Sequence, residues 1–158
     1  DFFEEAYLLF RLQPYHHNIS KRLVKSPKLY FTDTGLLHNF LGLKTYEQVY
    51  SSVFSGNSWE AFCINQIIAS LPDNLKIYFY RTQNGAETDL VFEKAGKAEI
   101  AAEIKYSDAP QLTKGNHIAW EDLKTQRNFI ITPHSDDYPL DGKTRVCNIT
   151  TFISKYLN

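Results

Sequence analysis

Apolar and polar residues alternate with a period of about two along three runs in the middle of the chain: Ile77 to Thr82, Asp89 to Glu93 and Glu99 to Tyr106. Gln83-Asn84-Gly85-Ala86 separates the first two runs, and Lys94-Ala95-Gly96-Lys97 the second and third. A period of two is the signature of a strand, and glycine supplies the positive φ that a tight hairpin turn needs. The pattern predicts a three-stranded antiparallel meander. In its third strand Ile100, Ala102, Ile104 and Tyr106 share one face, and Ala101, Glu103 and Lys105 the other. Asp89, one strand earlier, comes within reach of Glu103 and Lys105 if the hairpin closes in the simplest register.

The periodicity changes on either side. Trp59 to Leu71 carries apolar residues at helical spacing, with Trp59, Phe62, Cys63 and Ile67 as one stripe and Ile64, Ile68 and Leu71 widening it. Leu112 to Gln126 predicts a second helix with Leu112, Ile118, Ala119 and Leu123 inward. Asn128 to Thr132 is a continuous apolar run of the kind found in buried strands. A polar loop from His134 to Gly142, a short strand from Val146 to Ile149 and a helix from Thr151 to Leu157 complete this half. Helix, meander, crossover helix and a strand able to lie parallel predict an α/β fold with a mixed central sheet flanked by helices.

The first part reads differently. Phe2 to Phe10 has a helical stripe and leads into a short strand at Leu9 to Leu12. Gln13 to His17 reads as a turn, Lys28 to Phe31 as a second strand, and Asp33 or Thr34 as the cap of a helix ending at Gly42. This order resembles the back half of a winged-helix unit. Lys21, Arg22, Lys25 and Lys28 gather about its turn, where a basic wing could touch phosphates; a solvated hairpin tip accounts for them equally well. The Ser- and Gly-rich stretch before Trp59 suggests a division near Tyr46, giving parts 1–45 and 46–158.

Composition narrows the class. With 158 residues, 43% hydrophobic and 22% charged, the chain can bury a real core. A formal net charge of −1 gives no bulk argument for nucleic-acid binding. No apolar run is long enough to span a bilayer and no signal peptide is evident, so the expected setting is the cytoplasm, without a membrane partner. Cys63 and Cys147 lack metal-type spacing and are expected to be reduced core thiols. The absence of Met and a start within an apparent helix suggest a piece of something longer. Gly142-Lys143-Thr144 is similar to the end of a Walker A loop, but Asp137 stands where the first Gly belongs; no nucleotide site is expected.

Glu60 in the first helix, Asp89 in the second strand and Glu103-Ile104-Lys105 in the third follow the order and spacing of the PD-(D/E)XK nuclease superfamily, which the chain resembles. Its full length is also similar to the C-terminal region of a family of bacterial and archaeal AAA+-type P-loop ATPases. The residues carrying that likeness run from Lys25-Ser26-Pro27-Lys28 through Gly35-Leu36, then Gly56 to Glu60, Tyr80-Arg81, Gly85 to Leu90 and Glu103 to Lys105. One departure is Thr88, where the superfamily name has Pro.

The resemblance implies a restriction-endonuclease-like fold and an upstream ATPase module as a partner, with DNA as a second. It implies Mg²⁺ or Mn²⁺ held by Asp89, Glu103 and the backbone carbonyl of Ile104. Lys105 would orient a water or offset charge on the phosphate, and Glu60 would complete the catalytic set. Arg81 and Gln83, with Lys21, Arg22 and Lys25, would contact nucleic acid. Each residue also has a plain use. Asn57 to Glu60 has capping-box spacing, Glu103 and Lys105 suit a solvated strand face, and Asp89 suits a strand start. Two functions remain open: Mg²⁺-dependent DNA cleavage, and a catalytically inactive module that binds DNA or protein.

Overall fold

The computed structural model describes residues 2–16 and 21–157. The meander forms as expected, with the second strand longer and the outer two set slightly earlier, so that Lys105 and Tyr106 fall past the third: β3 (Lys76–Arg81), β4 (Glu87–Lys94) and β5 (Lys97–Ile104), paired antiparallel in that order. Ala95 and Gly96 both take positive φ (49° and 79°) in the second turn, the conformation that matches strand twist in a two-residue hairpin. From β5 the chain crosses over through α5 (Lys114–Leu123) to β6 (Arg127–Thr132), which lies parallel to β5. Two further strands, β7 (Tyr138–Pro139) and β8 (Thr144–Asn148), complete a six-stranded mixed sheet of order β3-β4-β5-β6-β8-β7. β7 falls inside the expected polar loop.

Helices cover both faces, which makes the central strands apolar on both sides. On one face lie α4 (Ser55–Ala69) and the C-terminal segment, α6 (Ile149–Thr151) running into a wider π-type turn at Phe152–Leu157. Cys63, Ile64 and Ile67 pack there against Leu90, Phe92, Ile100, Phe129 and Phe152. Phe152 meets Phe129 edge-on, with ring centroids 5.0 Å apart. On the opposite face Ala119, Trp120 and Leu123 of α5 cover Tyr80, Val91, Ala101 and Ile130. Burying one such large apolar side chain is worth about 1.5–3 kcal/mol.

Several expectations are corrected here. α4 starts four residues earlier than its apolar stripe, because Ser55 to Ser58 form its first turn rather than a linker. Phe62 and Ile68, assigned inward, are exposed, while Ala61 and Ser58 are buried. In β3 Phe79 and Tyr80 point to opposite faces yet are both buried, because each face of the sheet has its own helix cover. Trp120 of α5 is buried although the expected inward set left it out.

The N-terminal part holds α1 (Phe2–Glu5), a two-stranded antiparallel sheet of β1 (Leu9–Leu12) and β2 (Lys28–Phe31), α2 (Thr34–Phe40) and α3 (Tyr46–Ser51). Asp33 caps α2 by accepting from Gly35 N at 2.7 Å. The expected turn beginning at Gln13 is instead laid along β3, and His17 lies outside the described residues. Tyr15 N donates to Phe79 O at 2.7 Å, Phe79 N to Gln13 O at 3.0 Å and Val24 N to Arg81 O at 2.9 Å. Two passes of this segment thus shield the edge of β3, which would otherwise offer unpaired backbone groups. Gln13, Tyr15 and Val24, all before Tyr46, are thus bonded directly to the edge of the six-stranded sheet.

Candidate active site

An irregularity in β4 positions the first acidic residue. Tyr80 pairs with Thr88 and Tyr78 with Val91, so two steps on β3 are matched by three on β4. The extra residue is a β-bulge, a device that re-aims side chains where it occurs. Thr88 and Val91 consequently both belong to the α5 side: Trp120 Nε1 donates to Thr88 Oγ1 at 3.1 Å, and Val91 packs in the α5 cluster. Asp89, inside the bulge, turns to the strand end. Its Oδ2 accepts from Ile104 N at 3.0 Å and its Oδ1 lies 3.3 Å from Lys28 Nζ.

Glu103 and Lys105 meet Asp89 in one cleft of about 760 Å³, which Glu60, Glu87 and Arg81 also line. Lys105 Nζ is 2.7 Å from Glu103 Oε1, whereas the buried Glu103 Oε2 has no hydrogen-bond partner. Glu103 is 6% exposed and Asp89 8%, so the carboxylate expected on a half-solvated face is buried instead. Burial, with Asp89 nearby, pushes the Glu103 carboxyl up to about 7 against the pull of Lys105. Burial and Asp89 also raise the pKa of Glu60, opposed by Lys28 and Tyr30.

Glu60 is not a cap. α4 begins at Ser55 and Phe54 precedes it without a side-chain cap, which sets Glu60 in the second turn. Its Oε1 accepts a short hydrogen bond from Tyr30 OH and lies 3.3 Å from Lys28 Nζ. Lys28 also reaches Glu87 Oε1 at 3.2 Å. One ammonium therefore sits among Glu60, Glu87 and Asp89. Burial disfavours its charge, but Asp89, Glu60 and Glu87 outweigh that and hold its pKa above the usual lysine value.

Lys28, Tyr30 and Glu87 are the residues that sequence reasoning missed. All three fall in segments that carry the family likeness, but neither composition nor spacing assigns them to the site. A local signal for two of them is that Lys28 and Tyr30, two apart, share a face of β2.

The candidate nucleic-acid residues lie in two places. Arg81 stays at the cleft, with Nε 3.2 Å from Glu87 Oε2. Lys21, Arg22, Lys25 and Gln83 line a separate hollow beside the first hairpin turn of the meander. There Lys21 Nζ is 2.6 Å from Asp122 Oδ1, and Gln83 N donates to Arg22 O at 2.9 Å. The basic cluster is thus divided by the fold: Lys28 enters the acidic cleft and the others remain outside it.

The donor set of the cleft is of the hard-oxygen kind that suits Mg²⁺ or Mn²⁺, and Glu103 Oε2 is a buried acceptor without a partner. Asp89 and Glu103 are the residues that would hold such an ion. The carboxylates around Lys28 stand at the spacing of an ammonium, however, and among the described residues no three His, Cys, Asp or Glu side chains converge at metal-binding distances. Cys63 and Cys147 are buried free thiols. Among the described residues no helix is long and apolar enough to cross a membrane.

Comparison with known proteins supplies the lineage. An uncharacterized protein of Mycobacterium bovis and one of Mycobacterium tuberculosis are each 36% identical to the chain over 140 residues. The match covers 89% of this chain and 31% of either relative, so the chain spans about a third of their length. No solved structure matches. Residues 1–47 match a family described as a domain of unknown function, DUF8612. Residues 55–152, with α4, the meander and every acidic residue of the cleft, match the family described as domain of unknown function DUF4143. The chain belongs to the DUF4143 family.

Proposed function

We propose that the cleft is a divalent-cation site for phosphodiester hydrolysis, with DNA as substrate, in a restriction-endonuclease-like domain of PD-(D/E)XK descent. The observation that carries this reading is the convergence of Asp89, Glu103 and Lys105 from adjacent strands on one cleft, with a buried Glu103 oxygen left without a partner. When bound, Mg²⁺ or Mn²⁺ supplies Lewis-acid activation of a water and of the phosphate. Asp89 is oriented for this by the Ile104 N–H, which fixes one of its oxygens and leaves the other toward the cleft. Lys105 brings a positive charge beside Glu103, placed to offset charge that develops on the phosphate. Arg81, exposed at the cleft rim, is placed to meet a neighbouring phosphate. In this reading the domain works in the cytoplasm beside an upstream AAA+-type ATPase module.

One observation favours a second reading. Lys28 already pairs with three carboxylates of the cleft, as expected of a catalytically inactive module that keeps the fold to bind DNA or a protein.

Cleavage of supercoiled and linear DNA with Mg²⁺ or Mn²⁺ separates the two, with a Glu103→Ala/Lys105→Ala variant as control. Nicking by the parent alone supports hydrolysis and its residues. Equal nicking by both points to contamination, and silence from both, repeated with an ATPase module attached, leaves the inactive module standing.

A further inference from the structure

Lys28 reaches the cleft from outside the domain that carries the cleft's acids. It belongs to β2, which pairs with β1 in a two-stranded sheet of its own, while Glu60, Glu87 and Asp89 stand on α4 and β4. The next inward-facing residue of β2, Tyr30, holds Glu60 through its hydroxyl. The ammonium of Lys28 lies over the face of Phe79, 5.6 Å from its ring centroid. A single strand therefore supplies both the cation and the hydroxyl that organise these carboxylates.

An ammonium and a divalent ion cannot both use these oxygens. The three N···O distances are 3.2–3.3 Å, whereas Mg²⁺ requires oxygens at about 2.0–2.1 Å. Two cations a few ångströms apart in a partly buried site also repel strongly. Glu103, more than nine-tenths buried with its Oε2 unpartnered, is not among the carboxylates that Lys28 contacts.

We infer that Lys28 is a built-in counter-ion that competes with the divalent cation for the cleft carboxylates, so that the seating of β2 sets the metal affinity. This rests on the reading of the cleft as a cation site and adds its regulation. Removing β2 would leave the six-stranded sheet's ladders whole, because β2 contributes no strand to it. Any event that draws β2 outward would thus strip the counter-ion and open the carboxylates to metal.

Mn²⁺ titration followed by electron paramagnetic resonance, on the parent chain and on Lys28→Met, tests this without an activity assay. Methionine keeps an unbranched stem but removes the charge. The variant is expected to bind Mn²⁺ about tenfold or more tightly than the parent, the direction required when a competing buried charge is removed. A second measurement needs no variant: acetylation of the parent by an amine-reactive ester, read residue by residue by mass spectrometry, should show Lys28 becoming more reactive when Mn²⁺ is added. If Lys28→Met does not fold, the labelling result decides alone. Equal Mn²⁺ affinity in both proteins, with Lys28 equally protected, overturns the competition and spares the cation site. Absence of Mn²⁺ binding in both overturns the cation site and the competition together.

Discussion

Lys28 Nζ and Asp89 Oδ1 lie 3.3 Å apart although 61 positions separate the two residues in the chain. The contact joins a strand of the N-terminal part to the bulge of β4, and through Asp89 it continues to the backbone of Ile104. Asp89 thus serves two partners: an ammonium on one oxygen and a buried N–H on the other. Its role in the fold and its proposed role toward a cation depend on different atoms, so different substitutions can separate them.

Asp89→Ala should destabilise the protein, because it leaves the Ile104 N–H without an acceptor and removes an anion from Lys28. A buried donor left unsatisfied costs about 1–3 kcal/mol. Asp89→Asn keeps an oxygen for Ile104 and should lose much less. Urea denaturation of both variants measures the difference, and equal losses would show that the Ile104 contact contributes nothing.

The hydroxyl of Thr88 has a structural use. Thr88 Oγ1 donates to Ala102 O at 3.1 Å and accepts from Trp120 Nε1, tying α5 to two strands. Thr88→Val preserves the shape but strands both partners, and should cost about 1–3 kcal/mol. The midpoint of chemical denaturation should fall with an unchanged slope. A neutral result would mean that Trp120 finds another acceptor.

Gly115 occupies the first turn of α5, where alanine would ordinarily strengthen a helix by about 1 kcal/mol. Here a Cβ would come within 2.6 Å of the Gly85 carbonyl oxygen, at the turn between β3 and β4. Gly115→Ala should therefore destabilise, by about 1–3 kcal/mol, since backbone must move to relieve the overlap. A melting temperature at or above that of the parent would contradict the close approach of helix and turn.

Asp137 gathers Lys155 Nζ at 2.5 Å, Tyr156 OH at 2.7 Å and Arg145 Nη2 at 2.7 Å. These partners, Lys155 first, hold its carboxyl well below the usual aspartate value. A pKa lowered on folding contributes stability above the unfolded value, and that contribution is lost as pH falls toward the folded one. Asp137→Asn should therefore be less stable than the parent at pH 7, by about 1 kcal/mol or ~3 °C in Tm. The gap should begin to narrow below about pH 4, near the unfolded aspartate value, and go on shrinking as pH falls further toward the folded one. A gap that does not narrow at all between about pH 5 and pH 2 would assign the effect to packing rather than charge.

Much of the fold was legible because its signals are local. Alternation through Ile77, Phe79, Leu90, Ile100 and Ile104, interrupted by Gly85 and Gly96, is enough to specify strands and hairpins. The spacing of Glu103 and Lys105 on one strand puts their side chains on one side whatever lies beyond. The crossover helix between β5 and β6 follows from an amphipathic run followed by an apolar one. Those features depend on backbone geometry over a few residues, and the sequence by itself determined them.

The tertiary structure decided the rest, since long-range packing has no period to read. The bulge that turns Asp89 exists because β3 and β4 accommodate unequal lengths between the same neighbours. Tyr80 is buried, against the strand alternation, because α5 covers its face and Asp122 accepts its hydroxyl at 2.9 Å. Glu60 resembled a cap until the true start of α4 placed it one turn further in, against Tyr30. Lys28 resembled its basic neighbours in every local respect. Only the folding of β2 over α4 and β4 separates it from Lys21, Arg22 and Lys25, because burial among Glu60, Glu87 and Asp89 gives its charge partners that no stretch of sequence contains.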